Sequence, residues 1–329
     1  MRSLLLVAAT LFAAAPTVPA AASASASSPY PELAALEGRI AAIGFRLTTA
    51  NAAWCPALQP QFGWIWGDAR LYSAAQRPAA LAAYRASDAD APFLAAIAPG
   101  SPADLAGLKV GTPVLALNGV AVPSGDDKDP FARIAGAETL FAALPASVVA
   151  RISGASGPAV SVKPVPGCAT DFRVDARDRP EGAADGRLVV VSGGLVQFAT
   201  NDDELAAAVA HELAHNILRH RVRLDAAGVD RGLGKQFGRS ARLFRQTEIE
   251  ADRLSPWLLA GAGYDPHAAI RFWTSFGKHE GQPLFQAGTH PRWRARVTSI
   301  EAEVRAIDAA RAAGRALEPP LIANPPPLE

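Results

Sequence analysis

Between Asn201 and Arg219 apolar side chains recur once per helical turn, at Leu205, Val209, Leu213 and Ile217. No Gly or Pro interrupts this stretch, which is rich in Ala and Leu. Asn201 with Glu204 three residues on makes a capping-box signature, and Asp202 and Asp203 put negative charge on the first turn. The pattern predicts a mostly buried helix. Tyr30 to Leu47 predicts another, with Leu33, Leu36, Ile40 and Ile43 on one stripe. A third is expected to begin at Glu248 and run to about Ala260, with Pro256 placed to kink it. The region from Ala91 to Val165 reads differently. Phe93–Ile97 and Val114–Val120 are predicted strands, the second closing on the Asn118-Gly119 turn, and 137–144 is a short helix. Val148–Ile152 and Ala159–Val165 make a hairpin, and Arg187–Leu195 is a strand and turn leading into the long helix. Helices and strands in separate blocks predict an α+β chain.

The ends and the composition narrow the class. Arg2, the apolar run Leu4–Ala15 and the small residues up to Ala24 read as a cleavable secretory signal over residues 1–24. That apolar run is too short to span a bilayer, which takes about 20 residues. No later run is long enough either, so the mature chain is expected to lack a transmembrane segment. Cysteine is absent near the candidate cleavage sites, which argues against a lipid anchor and fits export to a bacterial periplasm. A net charge of +1 gives no reason to propose nucleic acid as a partner. Cys55 and Cys168, the only cysteines, are most simply a disulfide in an exported protein, the alternative being two buried thiols. Pro319 to Pro327 is expected to be extended and disordered.

The chemistry lies inside the long helix, at His211-Glu212-Leu213-Ala214-His215. Residues four apart share a helical face about 6 Å apart along the axis, so both imidazoles can reach one zinc ion. Glu212 is then placed as general base for a water at that metal. A catalytic zinc usually takes three protein ligands. Glu248 and Glu250 compete for the third position, on roughly opposite faces of a helix, and Glu248 shares its face with Asp252.

Glu248-Ile249-Glu250-Ala251-Asp252 after the paired histidines, followed by Ala262-Gly263-Tyr264-Asp265-Pro266, resembles the gluzincin metallopeptidases of the HtpX and CAAX-prenyl-endopeptidase type. The resemblance covers about 187 to 300. It implies a mainly helical zincin-like domain with a small edge-exposed β-sheet, and one Zn2+ per chain held by His211, His215 and Glu248. It further implies that Asp252 orients a ligating histidine. Thr289-His290-Pro291 with Arg296 looks like a late family motif. That likeness implies that His290 lies near zinc, in the open position or assisting the transition state, against a capping or surface role. It implies that Arg296 partners an acidic group there. Val189, Val190 and Val191 resemble the family's substrate edge strand, an ordinary core strand being the alternative. His220 finds no metal-compatible partner in this reading and is expected to end the active-site helix.

Pro99-Gly100-Ser101-Pro102-Ala103, with Ala106-Gly107-Leu108, Gly111 and Asn118-Gly119, resembles a PDZ domain. Thr112 departs from the Asp often found there. The expected organisation is a signal over 1–24, an N-terminal helix over 29–54 belonging to the catalytic domain, and an inserted PDZ-like domain over 55–168. A metallopeptidase domain over 169–316 and a Pro-rich tail over 317–329 complete it. The implied function is exported zinc endopeptidase activity on unfolded or extended polypeptides in envelope quality control. The PDZ-like groove would be open to a C-terminal peptide. The alternative is a peptide-binding or chaperone-like protein whose zinc site is mostly latent.

Overall fold

Helix α1 (Tyr30–Ala50) buries Ile40, Ile43 and Leu47 on the stripe expected of it and runs to within a few residues of Cys55. The computed structural model describes residues 28–88, 90–126, 128–229, 238–280 and 291–328; the expected signal over 1–24 and His290 lie outside them. After α1 come β1 (Leu58–Gln61), β2 (Trp64–Gly67), α2 (Arg77–Tyr84), β3 (Phe93–Ile97) and α3 (Pro102–Leu105). There follow β4 (Ala116–Leu117), β5 (Val120–Ala121), α4 (Ala132–Ala142), β6 (Ala150–Ser153), β7 (Val160–Val162) and β8 (Val165–Cys168). Next are β9 (Asp171–Asp175), β10 (Gly182–Ala184), β11 (Leu188–Ser192), α5 (Gly193–Phe198), α6 (Asp202–Ile217) and α7 (His220–Ala226). The chain closes with α8 (Gly238–Gly261), α9 (His267–Glu280), α10 (Trp293–Ala312) and α11 (Pro320–Ala323). The chain is α+β, with small sheets among many helices.

Two cores divide the side chains. One gathers α1, the β10-β11-β9 sheet, and helices α5, α6, α8, α9 and α10. The other is built from Phe62, Trp66, Leu94, Val114, Leu117, Ile134, Phe141 and Ile152, from β2 to β7 with α3 and α4. Its strands pair as β2-β3 and as the four-stranded sheet β5-β4-β6-β7. The chain enters and leaves this second unit side by side: β1 pairs antiparallel with β8, Leu58 opposite Cys168. Cys55 and Cys168 are bonded at the same place, with Cα atoms 5.3 Å apart.

Three expectations change. The stretch Val114–Val120 is not one strand: Asn118 and Gly119 both take positive φ (52° and 82°), so a tight turn separates the short strands β4 and β5. Helix α8 already exists at Gly238, well before Glu248. Arg239, Arg242 and Arg245 occupy its exposed side while Ala241, Leu243 and Thr247 are buried, so basic residues hid an amphipathic turn. Pro256 lies inside this helix as expected; the Asp252 carbonyl, denied a partner by the missing N–H, accepts from Ser255 Oγ at 3.2 Å. The Pro-rich segment is ordered as well, with Leu321 of α11 buried and the Pro326 and Pro327 carbonyls hydrogen-bonded.

Candidate active site

Helix α6 begins as its sequence dictates. The Asn201 side chain accepts from Glu204 N at 3.0 Å, and the Glu204 carboxylate reaches back to Thr200 N and Oγ1, one residue further than a regular capping box. Leu205, Val209, Leu213 and Ile217 are all buried, each worth about 1.5–3 kcal/mol against an exposed position. Five alanines of the helix are buried with them, which lets α6 lie close to α8 and to the sheet.

This packing brings His211, His215 and Glu248 together. His211 Nε2 lies 3.3 Å from His215 Nε2 and 3.4 Å from Glu248 Oε2, and His215 Nε2 lies 3.6 Å from Glu248 Oε1. Ligand atoms bound tetrahedrally at about 2.0–2.1 Å stand about 3.3 Å from one another, so the trio already has the spacing of a zinc site. Two imidazoles and one carboxylate are also a donor set that zinc favours. Glu250, the competitor for the third position, faces away, toward His220 and Arg223.

Around the trio the charges are strongly coupled. Asp252, fully buried, stands 3.1 Å from His211 Nδ1 and is gripped by Arg296 through Nε at 2.8 Å and Nη2 at 2.7 Å. Burial alone would raise the Asp252 carboxyl, but Arg296 and His211 hold it below the ordinary range. Burial would lower His211; hydrogen bonds to Asp252 and Glu248 outweigh it and carry the imidazole up to about 9. Burial drives His215 well below its usual value. Burial likewise pushes the Glu212 carboxyl up to about 7, a range suited to taking and returning a proton. The Arg296 guanidinium also lies over the Trp273 ring, 3.6 Å from its centroid, and Trp273 stands edge-on to His211. Trp273 was not legible as a site residue, because nothing in its local sequence marks α9 as the wall behind His211.

The sheet supplies the other wall. Val189, Val190 and Val191 lie in β11, which is the middle strand: β10 pairs with it antiparallel and β9 parallel, so neither side can accept another strand. Among the described residues no strand pairs with the other side of β10, so the edge beside Glu212 is β10 instead. Apolar pattern misleads here because the apolar strand β11, with Val189 and Val191 buried and Leu188 and Val190 half-buried, is paired on both sides, whereas the edge is the small, weakly patterned Gly182-Ala183-Ala184. A Cβ at Gly182 would meet Glu212 Oε1 at 2.6 Å, so a larger residue there would displace that carboxylate, and glycine lets the strand pass beside it undisturbed. Asn216 sets the distance, accepting from Gly186 N at 2.7 Å in the β10–β11 turn and donating to Thr170 Oγ1 at 3.2 Å. A cavity of about 220 Å³ lies between β10, Glu212, the histidines and α8.

Residues 181–234 match peptidase family M48. The chain is 31% identical over 137 residues to the protein named mitochondrial metalloendopeptidase OMA1 of Schizosaccharomyces pombe, covering 35% of this chain and 41% of that protein. It is 33% identical over 132 residues to the Arabidopsis thaliana protein of the same name, covering 34% and 26%. The chain therefore spans less than half the length of these relatives. The matches thus tie the segment that carries His211 and His215 to the M48 metallopeptidases, and part of the chain to two proteins named metalloendopeptidases.

Proposed function

We propose that the chain is a zinc metalloendopeptidase acting on extended polypeptide. The observation that carries this reading is the convergence of His211, His215 and Glu248 at tetrahedral ligand spacing, with Glu212 on the next position of the same helix. When bound there, zinc would polarise the scissile carbonyl and acidify a water. Glu212 takes the proton of the attacking water and passes it to the leaving amine. Asp252, locked by Arg296, holds the proton of His211 on Nδ1 and leaves Nε2 free to ligate.

Substrate alignment follows from the sheet edge. Glu181 O and Asp185 N bond across to β11, to Ser192 N and Leu188 O. The antiparallel alternation then turns the N–H and C=O groups of Gly182 and Ala184 outward, where an extended chain can add as a further strand beside Glu212. The unit between Cys55 and Cys168 is read as a PDZ-like module that presents peptide termini, supported by its separate core and by β2 facing α4. Phe141 of α4 stacks edge-on against Phe62, Trp64 and Trp66 there. Among the described residues no helix is long and apolar enough to cross a membrane. With the leader-like start and the disulfide, we place the protein in the bacterial periplasm, clearing unfolded envelope proteins.

Hydrolysis of unfolded casein by the purified zinc-loaded chain, compared with Glu212→Gln, tests the reading. Cleavage should need both zinc and Glu212. Equal cleavage by both proteins would remove the assignment. Casein held soluble without cleavage by either protein would favour the chaperone-like alternative.

A further inference from the structure

Helix α6 ends at Ile217, and Arg219 takes a left-handed backbone (φ 55°) that turns the chain back on itself before α7 starts at His220. The reversal sets His220 behind His215, with the two Nδ1 atoms 2.9 Å apart. His220 Nε2 stands 3.1 Å from Glu250 Oε2, and both side chains are buried. Glu250 is held in turn by Arg223 Nη1 at 2.6 Å and Gln246 Nε2 at 3.0 Å. The same two side chains donate to the carbonyls of Pro326 and Pro327, each at 2.7 Å.

One placement of protons satisfies this whole row. His215 aims Nε2 at His211 and Glu248, so a ligating His215 carries its proton on Nδ1. That proton is donated to His220 Nδ1, which must be the bare nitrogen of its ring. His220 Nε2–H then donates to the Glu250 carboxylate. The geometry points to His220 and Glu250 as positioning residues for the zinc ligand His215, with the segment Pro325–Pro327 clasping their outer end through Arg223 and Gln246. The inference rests on the zinc reading above. It gives each histidine ligand its own support: Asp252 and Arg296 behind His211, and a longer row behind His215 that ends on a distant part of the chain. A ligand held in the right tautomer and plane binds metal without an ordering cost, which is why removing such a partner weakens metal binding while the ligands remain.

The test is zinc affinity, measured by chelator competition, together with the visible spectrum of the Co2+-substituted protein, which reports ligand geometry. The proteins compared are the full chain, His220→Ala, Glu250→Gln and a chain ending at Asn324. Loss of the outer partner of a ligating histidine should weaken zinc about 10- to 100-fold in His220→Ala and alter the cobalt bands. The shortened chain, losing two outer hydrogen bonds, should weaken zinc by roughly 2- to 10-fold with the helical circular dichroism unchanged. Should His220→Ala fail to fold, Glu250→Gln and the shortened chain decide. Unchanged zinc affinity and unchanged cobalt bands in these variants overturn the proposal, whatever happens to their thermal stability. A full-length chain that binds no zinc overturns the metal reading itself.

Discussion

The Glu212 carboxylate is the group whose loss should be felt by the chemistry alone. It lines the cavity beside the ligands without being one of them. Glu212→Gln is expected to abolish casein hydrolysis while one zinc per chain is retained, as metal analysis and activity on the same sample will show. Glu248→Ala should lose the metal, because two histidines cannot close a catalytic site; retention of stoichiometric zinc would move the third ligand elsewhere. A second carboxyl matters for stability. Glu37 of α1 is buried, no described residue hydrogen-bonds its Oε2, and burial pushes it from 4.5 up to about 8. Between those values the folded chain keeps a proton that the unfolded chain has released, so the contribution of Glu37 to stability falls as pH rises through that window. Holding that proton costs the fold about 1.4 kcal/mol for every pH step across the window, a loss on the order of a few kcal/mol by pH 8. Urea unfolding at pH 5 and pH 8 should show that loss in the native sequence and a flatter dependence in Glu37→Gln.

At the scale of elements, the edge strand β10 and helix α6 are made for one another. Small residues on the strand and alanines on the helix allow the approach, and Asn216 pins the turn that joins β10 to β11. Proline is tolerated on an edge strand where its missing N–H would have faced outward. Ala184→Pro should therefore leave the β10–β11 ladder intact but remove one donor from an added substrate strand. The expected result is a roughly 2- to 10-fold lower kcat/KM on an extended peptide, the worth of one hydrogen bond, with zinc content unchanged. Activity equal to that of the native sequence would place the substrate elsewhere.

The whole molecule is organised by the closure at Cys55 and Cys168. The bond spans 113 residues in sequence and sits where the second unit leaves and rejoins the larger core, which carries His211, His215 and Glu248. A cross-link closing so long a loop stabilises by about 2–5 kcal/mol, chiefly by restricting the unfolded chain. Cys55→Ser with Cys168→Ser should lower Tm by several degrees, and the native sequence should resist alkylation until it is reduced and unfolded. Two freely alkylated thiols in the folded protein would contradict the bond.

Local pattern determined the helices whose apolar stripes are strong, α1 and α6, together with the Asn201 cap, the pair His211 and His215, and the strand β3. These follow from periodicity and backbone chemistry within a few residues, so no distant contact is needed to specify them. The choice of Glu248 over Glu250 was half visible, since the face shared with Asp252 is a property of helix geometry alone. The rest depended on packing. Which strand lies at the sheet edge is set by pairing among β9, β10 and β11, and the most apolar of the three takes the middle, paired on both sides. The start of α8 was masked by arginines, and only its neighbours reveal the buried face opposite them. The His220–Glu250 contact joins residues 30 apart and exists because a single left-handed residue, Arg219, reverses the chain. Turn signs and cross-helix contacts of this kind are fixed by the tertiary fold, where burial forces each polar group to find its partner.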